Sequence, residues 1–290
     1  MEKLKIITDS NSGILQSEAE ELGIFVVPMP FTINGEEYLE EISISQDMFF
    51  EFLAKNADVK TSQPSRYYLE ELWKKLLEDN EELLYIPMTS GLSATCQNAM
   101  KYAEEFNGKV HVVDNKRISA LQKQSVLEAI ALAKQGKTAL EIKEYLEATR
   151  DKQVIYISMG TLKYLKRGGR ISPAAAALGS LLNVKPILSS RGENFEKHSV
   201  VLSSAQAKKK MIQSIKLALE HDFKEEYEAG KMCIHIAHTQ NEAEALKFKE
   251  QVLREIPNIT FKHLDPLSLS IACHTGPGAL GIAVCINNYD

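Results

Sequence analysis

LYIPMTSGLSAT, residues 84–95, establishes the architecture of the first half of the chain. Its first part continues an apolar run that starts at Leu83 and is typical of a buried strand. Hydroxyl side chains then surround Gly91, and a helical pattern begins at about Ser93. Strand, glycine turn and helix in this order indicate one unit of a parallel sheet whose two faces are covered by helices.

A turn of this kind is suited to an anion. In an open parallel sheet, ligands bind beyond the carboxyl ends of the strands, where the next helix offers unpaired N–H groups. The phosphate-loop sequence G-x-x-x-x-G-K-[ST] does not occur, and Gly91-Leu92-Ser93-Ala94-Thr95 lacks the second glycine of a nucleophile elbow. Either the turn holds a small anionic group without a lysine, or Ser93 only caps the helix.

The wider pattern predicts an α/β protein with two domains. Apolar strands alternate with amphipathic helices, and the last of these strands is predicted at Val154–Ser158, so we expect a parallel-sheet α/β domain over residues 1–162. Residues 163–290 favour a second, α+β domain. Its first helix is predicted at Ala174–Leu182, after Ser172 as the N-cap.

Composition narrows the class of protein. The chain of 290 residues is 44% hydrophobic and 25% charged, with a formal net charge of −5, which argues against nucleic acid as the main partner. No apolar run reaches the roughly 20 residues of a membrane-spanning helix, and no signal peptide is visible, so we expect a cytoplasmic protein without integral membrane association. The cysteines are far apart in apolar patterns, which predicts buried reduced thiols and no metal site.

Three further stretches carry side chains that local structure does not fully explain. In Thr61-Ser62-Gln63-Pro64-Ser65, Ser65 is a natural helix cap, but Thr61 and Ser62 are not needed for capping. His274 precedes three glycines and a proline, which suits either a close approach to a ligand or a tight turn between strands. Arg170 lies in a basic glycine turn and is either functional or an exposed loop residue.

Five motifs, in this order, resemble those of the DegV family. They are Thr8-Asp9-Ser10, Thr61-Ser62-Gln63-Pro64, Gly91-Leu92-Ser93-Ala94-Thr95, Leu165-Lys166-Arg167-Gly168-Gly169-Arg170-Ile171 and His274-Thr275-Gly276-Pro277-Gly278-Ala279-Leu280-Gly281. The resemblance therefore covers nearly the whole chain and implies one DegV-type unit over residues 3–286.

The resemblance implies that the chain binds one long-chain fatty acid in a tunnel between its two domains. Such an acid, of about 16 to 18 carbon atoms, gains about 0.8 kcal/mol per buried CH2 group. The resemblance also implies a non-catalytic, cofactor-free subunit of a bacterial fatty acid kinase, which presents the carboxylate to a separate ATP-using subunit. Carried over by motif, Thr61 and Ser93 would bond the carboxylate. The other fatty-acid-binding residues would be Ser62, Ala94 through its N–H, His274 and Arg170.

One run departs from the family pattern. Many members have a serine-rich, glycine-containing sequence where this chain has bulkier residues from Val113 to Gln122. Because the helix in this run is expected to line part of the cavity, the preferred acyl length and shape stay open.

Two other functions are compatible with the same residues. One is a hydrolase or acyltransferase that uses Ser93 or Ser62 with His274, although no oriented base can be argued from the sequence. The other is a regulatory protein that senses a fatty acid through the same pocket.

Overall fold

The computed structural model of the chain describes residues 2–180 and 184–289, and these fall into two units. The first unit holds residues 2–151, 268–270 and 289, and the second holds residues 152–180, 184–267 and 271–288. The division therefore lies at Asp151, whereas the sequence pattern placed it between residues 162 and 163.

The strands of the described residues follow in chain order. They are β1 (Glu2–Asp9), β2 (Phe25–Val27), β3 (Pro30–Ile33), β4 (Glu36–Leu39), β5 (Val59–Thr61), β6 (Asn80–Ile86), β7 (Val110–Val112), β8 (Gln153–Ser158), β9 (Lys185–Ser190), β10 (Glu196–Val201), β11 (Met232–His238), β12 (Thr260–Pro266) and β13 (Leu280–Ile286).

The α-helices of the same residues alternate with these strands over most of the chain. They are α1 (Gln16–Leu22), α2 (Gln46–Ala54), α3 (Arg66–Leu76), α4 (Thr95–Ala103), α5 (Ala120–Lys134), α6 (Ala139–Ala148), α7 (Lys163–Gly168), α8 (Pro173–Ala177), α9 (Ser204–Glu220), α10 (Lys224–Glu228), α11 (Glu242–Glu255) and α12 (Leu269–Thr275).

The first unit contains the predicted parallel sheet. Its order is β2-β1-β6-β7, and every neighbouring pair is parallel. Because successive side chains of a strand point to opposite faces, Ile6 packs in a core with residues of α5 and α6, and Ile7 packs in another with residues of α3 and α4. Both faces are buried, which explains why the strands are continuously apolar.

A small antiparallel sheet, β4-β3-β5, accompanies the parallel one in the first unit. The two-residue turn Asn34-Gly35 joins β3 to β4, and both of its residues have positive φ, 52° and 89°. This is the turn geometry that matches the twist of a hairpin and that an Asn-Gly pair adopts at low cost. The last residue of β5 is Thr61, so the sheet that contains the hairpin carries one of the predicted binding residues.

The second unit is built on a six-stranded mixed sheet in the order β10-β9-β8-β13-β11-β12. Among the described strands of this sheet, β11 and β12 are parallel and the other neighbouring pairs are antiparallel. One face of the sheet packs against α9 and α11, where Met211, Ile215 and Phe248 lie in the core with Ile234 and Val284. This arrangement confirms the predicted α+β class.

The prediction that β8 closes the first sheet is wrong. β8 pairs with β9 and β13, and so it belongs to the second sheet. An apolar strand has the same local pattern in either sheet, because the pattern reports burial and not the pairing partner.

The structure confirms the predicted start of the alanine-rich helix, α8. The hydroxyl of Ser172 accepts the N–H of Ala175 at 3.3 Å, and Pro173 occupies the first turn. The α-helix ends at Ala177 and a 3-10 turn follows at Leu178–Ser180. The last two positions of the prediction, 181 and 182, lie outside the described residues.

Candidate functional site

Asp9 organises the carboxyl end of the parallel sheet. This last residue of β1 is fully buried, and its carboxylate accepts hydrogen bonds from the N–H of Met88 at 2.9 Å, the N–H of Asn11 at 3.1 Å and Nε2 of Gln122 at 3.1 Å. Burial raises the pKa of Asp9, and these hydrogen bonds offset only part of that effect. Because Met88 directly precedes the hydroxyl-rich turn, Asp9 fixes the point from which the turn leaves the sheet.

The turn itself is held by residues that follow β7. The N–H of Thr89 donates to the carbonyl of Arg117 at 2.9 Å, and the hydroxyl of Ser90 donates to Asp114 at 2.7 Å. Within the turn, the N–H of Gly91 donates to the hydroxyl of Thr89 at 3.1 Å. The turn is therefore fixed by hydrogen bonds before it reaches Ser93.

Ser93 lies half-buried in front of α4. Its Oγ accepts the N–H of Thr95 at 3.2 Å and lies 2.9 Å from the Thr95 hydroxyl. When the Thr95 hydroxyl donates to Ser93, the Ser93 O–H is left to donate outward. Ser93 therefore contacts the first turn of the helix, as the capping interpretation expected, and in that arrangement it retains a donor for a ligand. The N-cap position belongs to Ala94, whose exposed side chain makes no capping bond.

The second hydroxyl turn connects β5 to α3. Ser65 caps α3 as predicted, because its hydroxyl accepts the N–H of Tyr68 at 3.1 Å. Ser62 is exposed, and its N–H and hydroxyl both point to the carbonyl of Pro30, at 3.1 and 3.4 Å. Thr61 is half-buried and pairs with Phe31 across the small antiparallel sheet.

A side-chain hydrogen bond joins the two hydroxyl turns. Nδ2 of Asn98, on the first turns of α4, donates to Oε1 of Gln63 at 2.8 Å. Gln63 lies two residues after Thr61, and Asn98 lies on the helix that follows Ser93. The first unit thus brings together the turns that carry Thr61, Ser62, Ser93 and Ala94.

In the second unit, His274 rests on the basic glycine turn. A Cβ placed on Gly168 would lie 2.0 Å from Nδ1 of His274, so only glycine leaves room for the imidazole there. His274 itself lies in the last turn of α12, so the segment after it connects a helix to β13 and is not the turn between strands that was one of the two alternatives. Burial, followed by the positive charges of Arg170 and Arg167, lowers the pKa of His274 to about 4. The imidazole is therefore neutral at pH 7, with one donor and one acceptor nitrogen.

Arg170 is held close to its own turn. Its side chain is half-buried, and Nη1 donates to the carbonyl of Gly168. A second close approach lies nearby, because a Cβ on Gly276 would meet the ring of Tyr164 at 2.3 Å. In each glycine-rich motif of the second unit, a side chain packs directly on the backbone of a glycine. The side chain is His274 in one motif and Tyr164 in the other.

Gly168→Ala should lower the free energy of unfolding by about 1–3 kcal/mol, since the added methyl overlaps the His274 ring. Urea unfolding followed by circular dichroism measures this loss. In a His274→Ala background the same substitution should cost clearly less, because the displaced ring is gone.

Gly169→Ala is the matched control for this comparison. Gly169 has a φ of +69°, and no other group lies within 4 Å of the position that an alanine methyl would take, so alanine there adds backbone strain without a clash. That strain, about 1 kcal/mol, should be the same with and without His274. If Gly168→Ala also costs the same in both backgrounds, His274 does not rest on Gly168.

Several structural residues of the site were not assigned a role from the sequence. Gln122, expected to line a cavity, donates to Thr8 Oγ1, Asp9 Oδ1 and the Ile86 carbonyl, each at 3.1 Å. Arg117, from the same run, is fully buried and forms an ion pair with Glu128 at 3.2 Å. The only available signal was the presence of these polar residues in otherwise apolar surroundings.

The hydroxyl partners give no support to nucleophilic catalysis. The hydroxyl of Ser93 contacts Thr95, and that of Ser62 contacts the Pro30 carbonyl. Neither partner is a general base, which a serine nucleophile requires. Among the described residues, no helix is both long enough and apolar enough to cross a membrane.

Comparison with known proteins finds matches along nearly the whole chain. The family model described as "Uncharacterised protein, DegV family" matches residues 3–287. A DegV domain-containing protein of Lactococcus lactis, YejH, is 31% identical over 284 residues, and the match covers 97% of this chain and 98% of that protein.

Two solved structures are similar over the same extent. A DegV family protein from Thermus thermophilus, whose structure concerns fatty acid binding, has a TM-score of 0.87 and 28% identity, and the match covers 98% of this chain and 99% of that one. DegV from Bacillus subtilis, a fatty acid binding protein, has a TM-score of 0.83 and 28% identity, and the match covers 99% of this chain and 100% of that one.

Proposed function

Since the chain belongs to the DegV family, we propose that it binds one long-chain fatty acid and presents the carboxylate to a separate ATP-dependent kinase subunit. The observation that carries the proposal is the pair of hydroxyl turns joined by the hydrogen bond between Asn98 and Gln63. The two similar structures named for fatty-acid binding support the choice of ligand. Formation of an acyl phosphate needs ATP, so the proposal also places the protein in the cytoplasm.

Neutral donors are suited to the head group. A carboxylate is an acceptor with about four lone-pair sites, which hydroxyl and amide donors can fill. We propose that the hydroxyls of Thr61 and Ser93 donate to its oxygens. The other residues proposed for the head group, carried over by motif, are Ser62, Ala94 through its N–H, His274 and Arg170.

The neutral state of His274 matters for this role. With a pKa of about 4, the ring adds a hydrogen bond at pH 7 without forming an ion pair with the carboxylate. A head group held mostly by neutral donors keeps its nucleophilic oxygen more available than one locked in an ion pair, because a cationic donor draws more charge from the carboxylate than a hydroxyl does. This suits a carboxylate that must attack the γ-phosphoryl group of ATP held by the kinase subunit, with ADP as the leaving group.

The acyl tail supplies the affinity. Burying a chain of about 16 carbons at about 0.8 kcal/mol per CH2 gives roughly 12 kcal/mol before the costs of association and ordering. The head-group bonds therefore set orientation more than they set affinity. The alanines at 174–177 are candidates for the tunnel wall, although Ala175 is fully buried as a core residue would be.

The direct test is ligand identification followed by titration. Protein purified from a bacterial host should carry about one fatty acid per chain, which mass spectrometry of an organic extract identifies. After delipidation, a fluorescent fatty acid should bind saturably and be displaced by the extracted acid. Absence of saturable binding by the delipidated, folded protein would refute the proposal.

The Arg170→Ala substitution should have different effects on fatty-acid binding and on phosphoryl transfer to the bound acid. The guanidinium lies in a basic turn and can stabilise the charge that develops on an acyl phosphate, but it contributes little to a buried tail. Fatty-acid affinity should stay within about threefold, or about 0.7 kcal/mol. With a competent kinase subunit, acyl-phosphate formation should fall at least about tenfold, or about 1.4 kcal/mol.

Lys163→Ala controls for the general loss of positive charge from the same segment and should leave both quantities within about threefold. A variant of Arg170 that binds weakly but is phosphorylated normally at saturation would assign this residue to ground-state recognition. Binding, melting temperature and turnover that decline together would assign it to holding the turn.

A further inference from the structure

Three side chains with metal-binding atoms meet on the sheet of the second unit, away from the residues discussed above. Sγ of Cys233 lies 3.2 Å from Nε2 of His235 and 3.7 Å from Sγ of Cys285, and Cys285 Sγ lies 3.6 Å from the same nitrogen. All three residues are buried, the cysteines fully and His235 to within 1% exposure. The thiols are reduced, as the sequence predicted.

Strand geometry explains why they converge. Cys233 and His235 are two residues apart on β11, so their side chains lie on the same face of the sheet. Cys285 on β13 is the direct cross-strand partner of Cys233. Ile234 and Val284, which alternate with them, point into the core under α9 and α11, so the cluster occupies the opposite face.

The distances match those between ligands of one metal ion. Tetrahedral zinc, with Zn–S bonds of about 2.3 Å and Zn–N bonds of about 2.0–2.1 Å, separates two sulfur ligands by about 3.8 Å and a sulfur from a nitrogen by about 3.6 Å. Two of the three distances here agree within about 0.1 Å, and the third is shorter by a few tenths. We propose that Cys233, His235 and Cys285 form a buried binding site for a thiophilic metal ion, with Zn²⁺ as its occupant.

Charge selects zinc among the thiophilic ions. Binding replaces the proton of each thiol, so that one Zn²⁺ and two thiols give a neutral dithiolate–zinc unit and two protons released to solvent. A neutral unit avoids the cost of an uncompensated charge in a buried position. Cu⁺ prefers the same soft ligands but would leave one negative charge in the sheet, whereas hard ions such as Mg²⁺ prefer oxygen ligands.

The surroundings of His235 present Nε2 to the two sulfurs. Among the described side chains, Nδ1 of His235 has no hydrogen-bond partner, so the polar contacts of the ring all lie on the Nε2 side. The ring of His263 stacks on it with a centroid distance of 5.5 Å and restricts its plane. A metal ion here would join two neighbouring strands near the centre of the sheet and would stabilise the folded chain, since it binds that state preferentially.

The test uses the full chain, kept reduced and stripped of metal. Titration with Zn²⁺ in the presence of a chromophoric chelator should give uptake of one ion per chain and release of two protons, and it should raise the melting temperature. Co²⁺ should give a thiolate-to-cobalt charge-transfer band in the near ultraviolet. Cys285→Ser and His235→Asn should each weaken zinc binding at least tenfold and should remove the zinc-dependent rise in melting temperature.

Cys96→Ser is the matched control, because Cys96 is also a fully buried thiol but lies in the first unit next to the Val113 carbonyl. It should leave zinc uptake unchanged. No uptake against the chelator, or equal uptake by all variants, would overturn the site, and uptake of Cu⁺ in preference to Zn²⁺ would overturn the choice of ion. Because His235→Asn keeps both thiols, it tests the site even if Cys285→Ser fails to fold. None of these outcomes depends on fatty-acid binding.

Discussion

Replacing Thr61 and Ser93 together with alanine should lower the affinity for a long-chain fatty acid by about tenfold to a hundredfold or more. Each hydroxyl is proposed to donate to a charged acceptor, and such a bond contributes about 1.5–3 kcal/mol. Because both hydroxyls would bond the same carboxylate, their effects should couple, and the double variant should lose less than the two single variants predict by addition.

The measurement is a displacement titration of delipidated protein, for the two single variants and the double variant. Ser65→Ala provides a matched control from the same loop. Its hydroxyl accepts the N–H of Tyr68 at 3.1 Å, so its loss removes the cap of α3. It should cost about 1 kcal/mol of stability and leave affinity unchanged.

A second comparison separates head-group binding from local structure. Ser93 also accepts the N–H of Thr95 at 3.2 Å, so Ser93→Ala removes an internal bond as well. If the loss of affinity came from a distorted turn, the methyl ester of the fatty acid would lose affinity to the same extent as the acid. A loss confined to the acid supports the carboxylate assignment, and unchanged affinity of the folded double variant places the head group elsewhere.

The features that the sequence predicted best are those that neighbouring residues determine. The Ser65 and Ser172 caps and the turn after β6 all depend on side chains within a few positions of the element they start or end. The parallel sheet was predictable because strands buried on both faces are continuously apolar.

Other features depend on pairing across long stretches of chain, and periodicity does not contain that information. β8 has an apolar pattern that fits either sheet, and only its pairing with β13 assigns it to the second unit. For the same reason, the sequence did not predict the cluster of Cys233, His235 and Cys285. Cys233 and Cys285 share no ligand spacing in the sequence, and they meet because β11 and β13 are neighbours in a particular register.

The candidate site likewise combines features that neighbouring residues determine with features that depend on residues far apart in the sequence. The hydroxyls of Thr61 and Ser62 were recognisable as groups that capping does not require, whereas the sequence left open whether Ser93 only caps the helix. The bond from Asn98 to Gln63, which brings the turns together, and the buried carboxylate of Asp9, which fixes the sheet end, involve residues far apart in sequence. Their roles became visible only with the fold.

The second large effect is expected for a substitution at Glu40. Its carboxyl group is buried in the first unit, where it accepts hydrogen bonds from the hydroxyl of Ser10 at 2.7 Å and from the N–H of Leu269, the first residue of α12. Burial raises the pKa of Glu40 from 4.5 to about 7, although the bonds from Ser10 and Leu269 favour the charged form. The nearby charge of Glu41 raises this pKa further.

The direction of the resulting pH dependence follows from which state of the chain, folded or unfolded, binds the Glu40 proton more tightly. The folded state holds the Glu40 proton up to about pH 7, whereas the unfolded chain releases it near pH 4.5. The stabilising contribution is therefore complete below pH 4.5 and is lost as the pH rises through 7, because the folded state must then bury a charge. The full difference is about 3 kcal/mol, of which roughly 2–3 kcal/mol should be lost between pH 5 and pH 8.

Glu40→Gln should remove this slope. The amide does not titrate, so its free energy of unfolding should change between pH 5 and pH 8 by about 2–3 kcal/mol less than that of the wild type. The amide nitrogen also cannot accept a hydrogen bond, which leaves a buried donor unpaired and costs about 1–3 kcal/mol at pH 5. Asp9, whose pKa burial also raises, is present in both proteins, so its contribution cancels in the comparison.

Urea unfolding at a series of pH values measures the two slopes. Glu37→Gln is the matched control, since Glu37 is an exposed glutamate on β4 of the same unit and its loss should leave the slope of the wild type intact. Equal slopes for wild type and Glu40→Gln would mean that the hydrogen bonds from Ser10 and Leu269 offset the burial of the carboxylate, which would then be charged throughout this range. In that case Glu40→Gln removes a charged hydrogen-bond acceptor at pH 8. The Gln variant should then be less stable at pH 8 than the raised pKa of Glu40 predicts. Whether the slopes of the wild type and of Glu40→Gln differ between pH 5 and pH 8 therefore decides whether burial or hydrogen bonding controls the protonation of Glu40.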